Sequence, residues 1–245
     1  MIQENKINYF VTKIVTHAPN IKTIYLECRD GTGKAYTPVF RAGQFINVYF
    51  PETGTPEGKA YSISSAPHED ILAITVKAVG EFSNKLHQLK VGDRLTASMP
   101  YGYFYTETET SELVMIAGGI SIAPFRSMIL DSLQKKPNRK LALFHSSRTY
   151  DESIFRDEFA VLEKRFPNLK VFRYVTRDKV ANVGIIHERL KIEDIIGTTD
   201  KAKLDIHTRE FLICGSINFV GELWKGLRKA GVPEDVIYTE SFFSH

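Results

Sequence analysis

The chain has 245 residues, 43% hydrophobic and 25% charged, a balance that suits a folded soluble protein with room for two modest domains. A net charge of +3 without basic blocks argues against nucleic-acid binding. No run approaches ~18 apolar residues, so no membrane-spanning helix is expected. The start, Met1 to Lys13, lacks a secretory layout and reads as a strand in a cytoplasmic protein.

The first hundred or so residues read as short strands separated by turn residues: 7–17, 22–28, 44–50, 60–64, 71–79 and 94–98. Within 71–79, Leu72, Ile74, Val76 and Ala78 alternate at period two and are expected to face a core. A short helix over 83–89 follows Gly80. Six strands of this kind predict a small antiparallel β-barrel.

Beyond the polar stretch Thr106 to Ser111 the apolar runs become continuous, at 113–117, 141–144, 171–175, 211–214 and 236–238. Strands covered on both faces by helices have this appearance. Helical faces alternate with them: Val220, Leu223, Trp224 and Leu227 form one, and Phe155, Phe159, Leu162 and Phe166 another. The alternation predicts a doubly wound parallel sheet, a Rossmann-like α/β domain, with the boundary near residue 110 (domains 1–110 and 111–245).

Ligands of such a sheet lie at the carboxyl ends of its strands, which directs attention to Gly118-Gly119, Ser146-Ser147-Arg148, Thr176-Arg177 and Cys214-Gly215. In the first half, Lys59-Ala60-Tyr61-Ser62 joins a ring able to stack on a flat heteroaromatic to a hydroxyl and a cation. Gly80-Glu81-Phe82-Ser83 opens a helix whose free N–H groups suit a diphosphate. Gly118 to Pro124 is a strand–glycine–helix junction with proline in the first helical turn. Each element alone also reads as ordinary packing or capping. Cys28 and Cys214, the only cysteines, exclude a disulfide framework, a four-cysteine zinc site and an iron–sulfur cluster held by this chain alone. The seven histidines form no ligand pattern, and no metal site is expected.

In order and separation these pieces resemble the ferredoxin–NADP(+) reductase superfamily over nearly the whole chain. Lys59 to Ser62 resembles its Arg-x-Tyr-Ser flavin motif, and Gly80 to Ser83 its Gly-x-x-Ser diphosphate motif. Pro100, Gly102 and Phe104 match its Pro-x-Gly-x-Phe element, and Gly118 to Pro124 its glycine-rich loop. Cys214-Gly215 matches its Cys-Gly pair, and Glu240-Ser241-Phe242 its late Glu-x-Phe. The resemblance implies FAD as cofactor and NADPH or NADH as substrate, with NADPH slightly favoured. It implies that Tyr61 packs on the flavin and Ser62 approaches its reacting edge, while Lys59 and Ser83 hold the phosphates. Gly118 and Gly119 would admit the dinucleotide, Cys214 and Glu240 would flank the nicotinamide, and Phe242 would lie near the flavin. Ser62, Cys214 and Glu240 are the expected catalytic residues.

Three departures stand out: Lys59 for arginine, Ser121 where a further glycine is usual, and Ile185 where a basic or tyrosine position would support Thr176-Arg177 in gripping a 2′-phosphate. The expected activity is hydride exchange between NAD(P)H and flavin, with electrons passing to a small acidic carrier (ferredoxin or flavodoxin) or an oxygenase component. The alternatives are the electron-transfer subunit of a larger oxidoreductase and a non-catalytic flavin or nucleotide module. With no cysteine after Cys214, the cluster-bearing subunit type is disfavoured.

Overall fold

A computed structural model describes residues 6–106, 112–178, 184–201 and 209–242, without the side chains of 199–201. The expected boundary near residue 110 lies outside the described residues. Contacts divide the chain into two units, Met1–Tyr105 with Ala123–Asp131, and Thr106–Ile122 with Ser132–His245.

The first unit is antiparallel. Strand β1 (Lys6–Ala18) turns through Pro19 and Asn20 into β2 (Ile21–Arg29); proline presets the turn and asparagine tolerates it. The short β3 (Ala35–Tyr36) extends one end of β2. Strand β4 (Phe45–Phe50) pairs with β5 (Thr55–Ser62), which begins five residues earlier than expected. Strand β6 (Leu72–Lys77) pairs with β2, and β7 (Arg94–Ser98) joins β1 to β4. A bridge from Ile63 to Ile74 links the end of β5 to β6 and closes a six-strand ring. Closure removes exposed sheet edges and creates an inside, filled by Ile24, Leu26, Val48, Ile74, Val76 and Leu95. Ala78 lies past the end of β6 and is half-buried, whereas Ala73 and Thr75 on the opposite face are buried too. Helix α1 (Glu81–Gln88) packs Phe82 and Leu86 into this core.

The second unit is a parallel sheet of β8 (Glu112–Gly118), β9 (Leu141–Ser147), β10 (Leu169–Val175), β11 (Ile185–Ile186), β12 (Arg209–Ser216) and β13 (Ile237–Phe242). Its order is β11-β10-β9-β8-β12-β13. The helices are α2 (Ile122–Lys135), α3 (Arg156–Arg165), α4 (Ile192–Lys201) and α5 (Ile217–Lys229). Val220, Leu223 and Leu227 of α5 are buried as their spacing predicts, with Trp224 packed at the margin. In α3 only Phe159 is buried; Phe155 precedes the helix with φ 60°, and Phe166 follows it. The residues of α2 from Ala123 to Asp131 group with the first unit, where Arg126 donates to the Ser64 carbonyl at 2.8 Å and pairs with Glu69 at 3.0 Å.

The amino ends of the parallel strands carry buried ion pairs, Arg209 with Glu112 at 3.1 Å and Arg139 with Glu210 at 3.2 Å. The carboxyl ends of β8 and β12 carry glycines instead. Strand order reverses between these two strands, and a doubly wound sheet opens a crevice where it reverses. Among the described residues no helix is long and apolar enough to cross a membrane.

Candidate functional site

In the first unit, Lys59 and Tyr61 share one face of β5 and converge on Phe82 of α1. The Tyr61 and Phe82 rings are stacked, 6.3 Å between centroids and 20° from parallel. The Lys59 ammonium lies 5.6 Å from the Phe82 centroid. Phe50 completes the cluster at 5.1 Å from Phe82, and the Lys85 ammonium sits 4.9 Å from its ring while pairing with Glu52. Burial raises the Tyr61 phenol pKa, so it stays neutral. Ala60 is exposed and Ser62 is buried. Lys85 was not expected here, because nothing in the sequence sets it apart from other helical lysines.

Lys59 therefore stands beside the first turn of α1, and Lys85, from the last turn, beside Phe50. The N–H groups of Glu81, Phe82 and Ser83 leave the helix start without an intrahelical acceptor. A Cβ on Gly80 would meet no protein atom within 4 Å and the backbone there is extended, so protein packing does not demand glycine. Open approach to these N–H groups is what glycine provides. Ser83 differs from expectation: its Oγ accepts from Val79 N at 2.9 Å and Gly80 N at 3.1 Å, and donates to the Gly80 carbonyl at 3.0 Å. As the third helical residue it folds back on the chain just before it, leaving its N–H for an outside anion. An aromatic platform beside a cationic, N–H-rich helix start fits a flavin with a diphosphate tail.

In the second unit, Cys214 is fully buried and lies in register between Ala117 of β8 and Glu240 of β13. Its Sγ donates to Glu240 Oε2 at 3.9 Å. Burial first, and then the Glu240 charge, holds its pKa well above the ordinary thiol value, so Cys214 is a neutral thiol. Phe242 ends β13 opposite Ser216.

Gly119 adopts φ +59°, and a Cβ there would meet nothing within 4 Å. Gly118 and Gly215 are different: a Cβ on either would meet the Phe219 ring, at 3.2 and 2.5 Å. The space these two glycines vacate is filled by Phe219, which rises from the first turn of α5, and the only cue in sequence is its position four residues after Gly215. His145 of β9, buried and neutral, bonds the Gly119 carbonyl through Nε2 at 3.0 Å and holds the loop from beneath. Pro124 is buried in the first turn of α2.

At the far rim, Thr176 and Arg177 are exposed just past β10. Thr176 N donates to the Ser147 carbonyl at 3.2 Å, and Arg177 N to the Arg148 carbonyl at 2.8 Å, which brings two exposed arginines to neighbouring backbone positions. Asp178 Oδ2 accepts from Tyr150 N at 2.7 Å and ties the two strand ends together. Ile185 is half-buried in the edge strand β11 and offers no charge. Among the described residues no group of three or more His, Cys, Asp or Glu side chains could hold a metal ion.

Residues 22–105 match the oxidoreductase FAD-binding domain family, and residues 115–223 the oxidoreductase NAD-binding domain family. A flavohemoprotein of Chromobacterium violaceum is 30% identical over 251 residues, covering 96% of this chain and 60% of its own length. The phenol hydroxylase P5 protein of Acinetobacter pittii is 31% identical, covering 82% of this chain and 64% of its own length. This chain thus spans about 60% of the length of the flavohemoproteins it matches. A ferredoxin NADP+ reductase from Neisseria gonorrhoeae, solved with FAD and NADP, shares the fold with a TM-score of 0.80 and 22% identity, over 98% of this chain and 100% of that one. With both domain families matched in that order, the chain belongs to the oxidoreductases that join an FAD-binding domain to an NAD-binding domain, and it shares the fold of the ferredoxin NADP+ reductase.

Proposed function

We propose that this protein is a reductase that takes hydride from NAD(P)H onto FAD and hands electrons to a protein acceptor. The observation that carries the reading is the Cys214–Glu240 pair at the strand-order reversal, in a chain that also bears an FAD-binding domain. Bound FAD supplies the redox chemistry, accepting hydride and releasing electrons.

The protein contributes alignment and charge. Tyr61 gives the flavin a face to pack on, and Ser62 a hydroxyl at the reacting edge. Lys59, Lys85 and the start of α1 neutralise the diphosphate. Gly118, Gly119 and Gly215 shape the dinucleotide crevice over the Phe219 ring, while Cys214 and Glu240 border the nicotinamide. Lysine at position 59 offers a point charge rather than a planar fork, which weakens the grip on two phosphates. Arg177, with Thr176 and Arg148, favours NADPH through charge-assisted bonds to a 2′-phosphate.

The relatives' names favour an oxygenase or haem component as acceptor; a small acidic carrier of the ferredoxin or flavodoxin type is the acceptor that the family resemblance implies. Both cysteines are free thiols, which suits a cytoplasmic location.

The test is anaerobic stopped-flow absorbance of the holoprotein mixed with NADPH or NADH. Rapid bleaching of the flavin band by either establishes the reductase, and the faster nucleotide names the substrate. Bound flavin bleached by neither would overturn the reading in favour of a binding module.

A further inference from the structure

Ser121 has no part in the site as described so far. It ends the turn Gly119–Ser121 and immediately precedes α2, where a serine ordinarily accepts a hydrogen bond from the helix's own first-turn N–H groups. It makes no such bond. The residue is 3% exposed, and a hydroxyl buried that deeply needs a partner. The partner is the Cys214 thiol.

The turn is built to deliver this contact. His145 grips the Gly119 carbonyl at 3.0 Å, and the turn packs on β12 and β8. Cys214 projects from β12 with Glu240 opposite, 3.9 Å from its sulfur. An ionised carboxylate can only accept, so the thiol proton goes to Glu240 and the sulfur accepts from Ser121. The three side chains form one directed chain: Ser121 O–H to Cys214 sulfur, Cys214 S–H to Glu240 carboxylate.

We propose that Ser121 is a positioning residue of the reductase, pinning the Cys214 thiol so that its sulfur keeps one orientation and its proton stays on Glu240. The proposal rests on the reductase reading and adds a residue that acts only through Cys214. Donation into the sulfur polarises the S–H bond and tightens its contact with Glu240. Without the hydroxyl, the thiol is free to rotate about its Cβ–Sγ bond.

Two measurements test it, both on holoprotein. The first is the infrared S–H stretching band that disappears in Cys214→Ala, recorded with no nucleotide present. In Ser121→Ala this band moves to higher wavenumber as the bond to Glu240 weakens. The second is flavin bleaching at saturating nucleotide. Ser121→Ala slows it about fivefold, the kinetic equivalent of one neutral hydrogen bond, with the Michaelis constant little changed. Added to Cys214→Ala, the same substitution brings no further slowing. An unmoved band, or equal slowing with and without Cys214, overturns the proposal. A wild type bleached by neither nucleotide instead fails the reductase reading and takes the proposal with it, even where the band moves.

Discussion

Lowering the pH from about 7 to about 5 is expected to remove about 2 kcal/mol of stability from the second unit through a single side chain, His145. The residue is 2% exposed on β9 and its Nε2 bonds the Gly119 carbonyl at 3.0 Å. Burial is the main cause that pushes its pKa down to about 4; the Gly119 carbonyl opposes this and the Arg173 charge adds to it. In the unfolded chain the same imidazole titrates near 6.5. As pH falls, the unfolded state takes up the proton first, so stability is full above about 6.5 and is lost toward about 4. The whole displacement is worth about 3 kcal/mol, of which about two-thirds is gone by about pH 5.

The assay is urea unfolding followed by the fluorescence of Trp224, the only tryptophan, which lies in α5 of the same unit. The comparison is His145→Gln, which keeps an N–H for Gly119 and cannot take up the proton. Wild type should lose about 2 kcal/mol more than the variant over that pH range. Parallel pH profiles for the two proteins would refute the reasoning.

Three further outcomes are expected. Ser62→Ala retains FAD but slows flavin reduction by roughly tenfold or more, because it removes a partner from the reacting edge and leaves the anchors; equal single-turnover rates would remove Ser62 from the chemistry. Arg177→Ala raises the Michaelis constant for NADPH by about tenfold more than that for NADH, and an equal rise for both would end its assignment to a 2′-phosphate. Gly215→Ala lowers stability by about 1–3 kcal/mol, since its Cβ would press on the Phe219 ring, and Phe219→Ala in the same chain relieves part of that strain. Calorimetric melting temperatures check the pair, and a single variant as stable as wild type would contradict the packing.

Most of the fold could be read directly from the chain, because its signals are local. Alternation at Leu72, Ile74 and Val76 marks the core-facing side of a strand in the antiparallel half, although its other face is buried as well. The apolar run Phe211–Cys214 in β12 marks a strand covered on both faces. The contrast separates an antiparallel half from a parallel one, but gives no sign that Ala123–Asp131 group with the first unit. Ala78 failed because the alternation ran past the end of β6. Phe155 and Phe166 failed because a shared face says nothing about where a helix begins and stops. At the site, Tyr61 and Cys214 are legible as candidates from strand position and residue chemistry, whereas Glu240 enters only through the family resemblance. Ser83 was named for its hydroxyl, yet a third helical residue has the preceding backbone within reach, and that contact took the hydroxyl.

The sequence by itself determined the antiparallel character of the first half, the parallel α/β character of the second and the places where glycine interrupts a buried run. All of these follow from the period of apolar residues and from backbone sterics, which act over a few residues. Tertiary structure alone decided that Phe219 fills the space over Gly118, that His145 holds the Gly119 carbonyl, and that Ser121 turns from its helix to Cys214. Each of these joins residues on different elements, and each depends on a crossover and a strand register. Neither leaves a mark in the spacing of side chains along the chain.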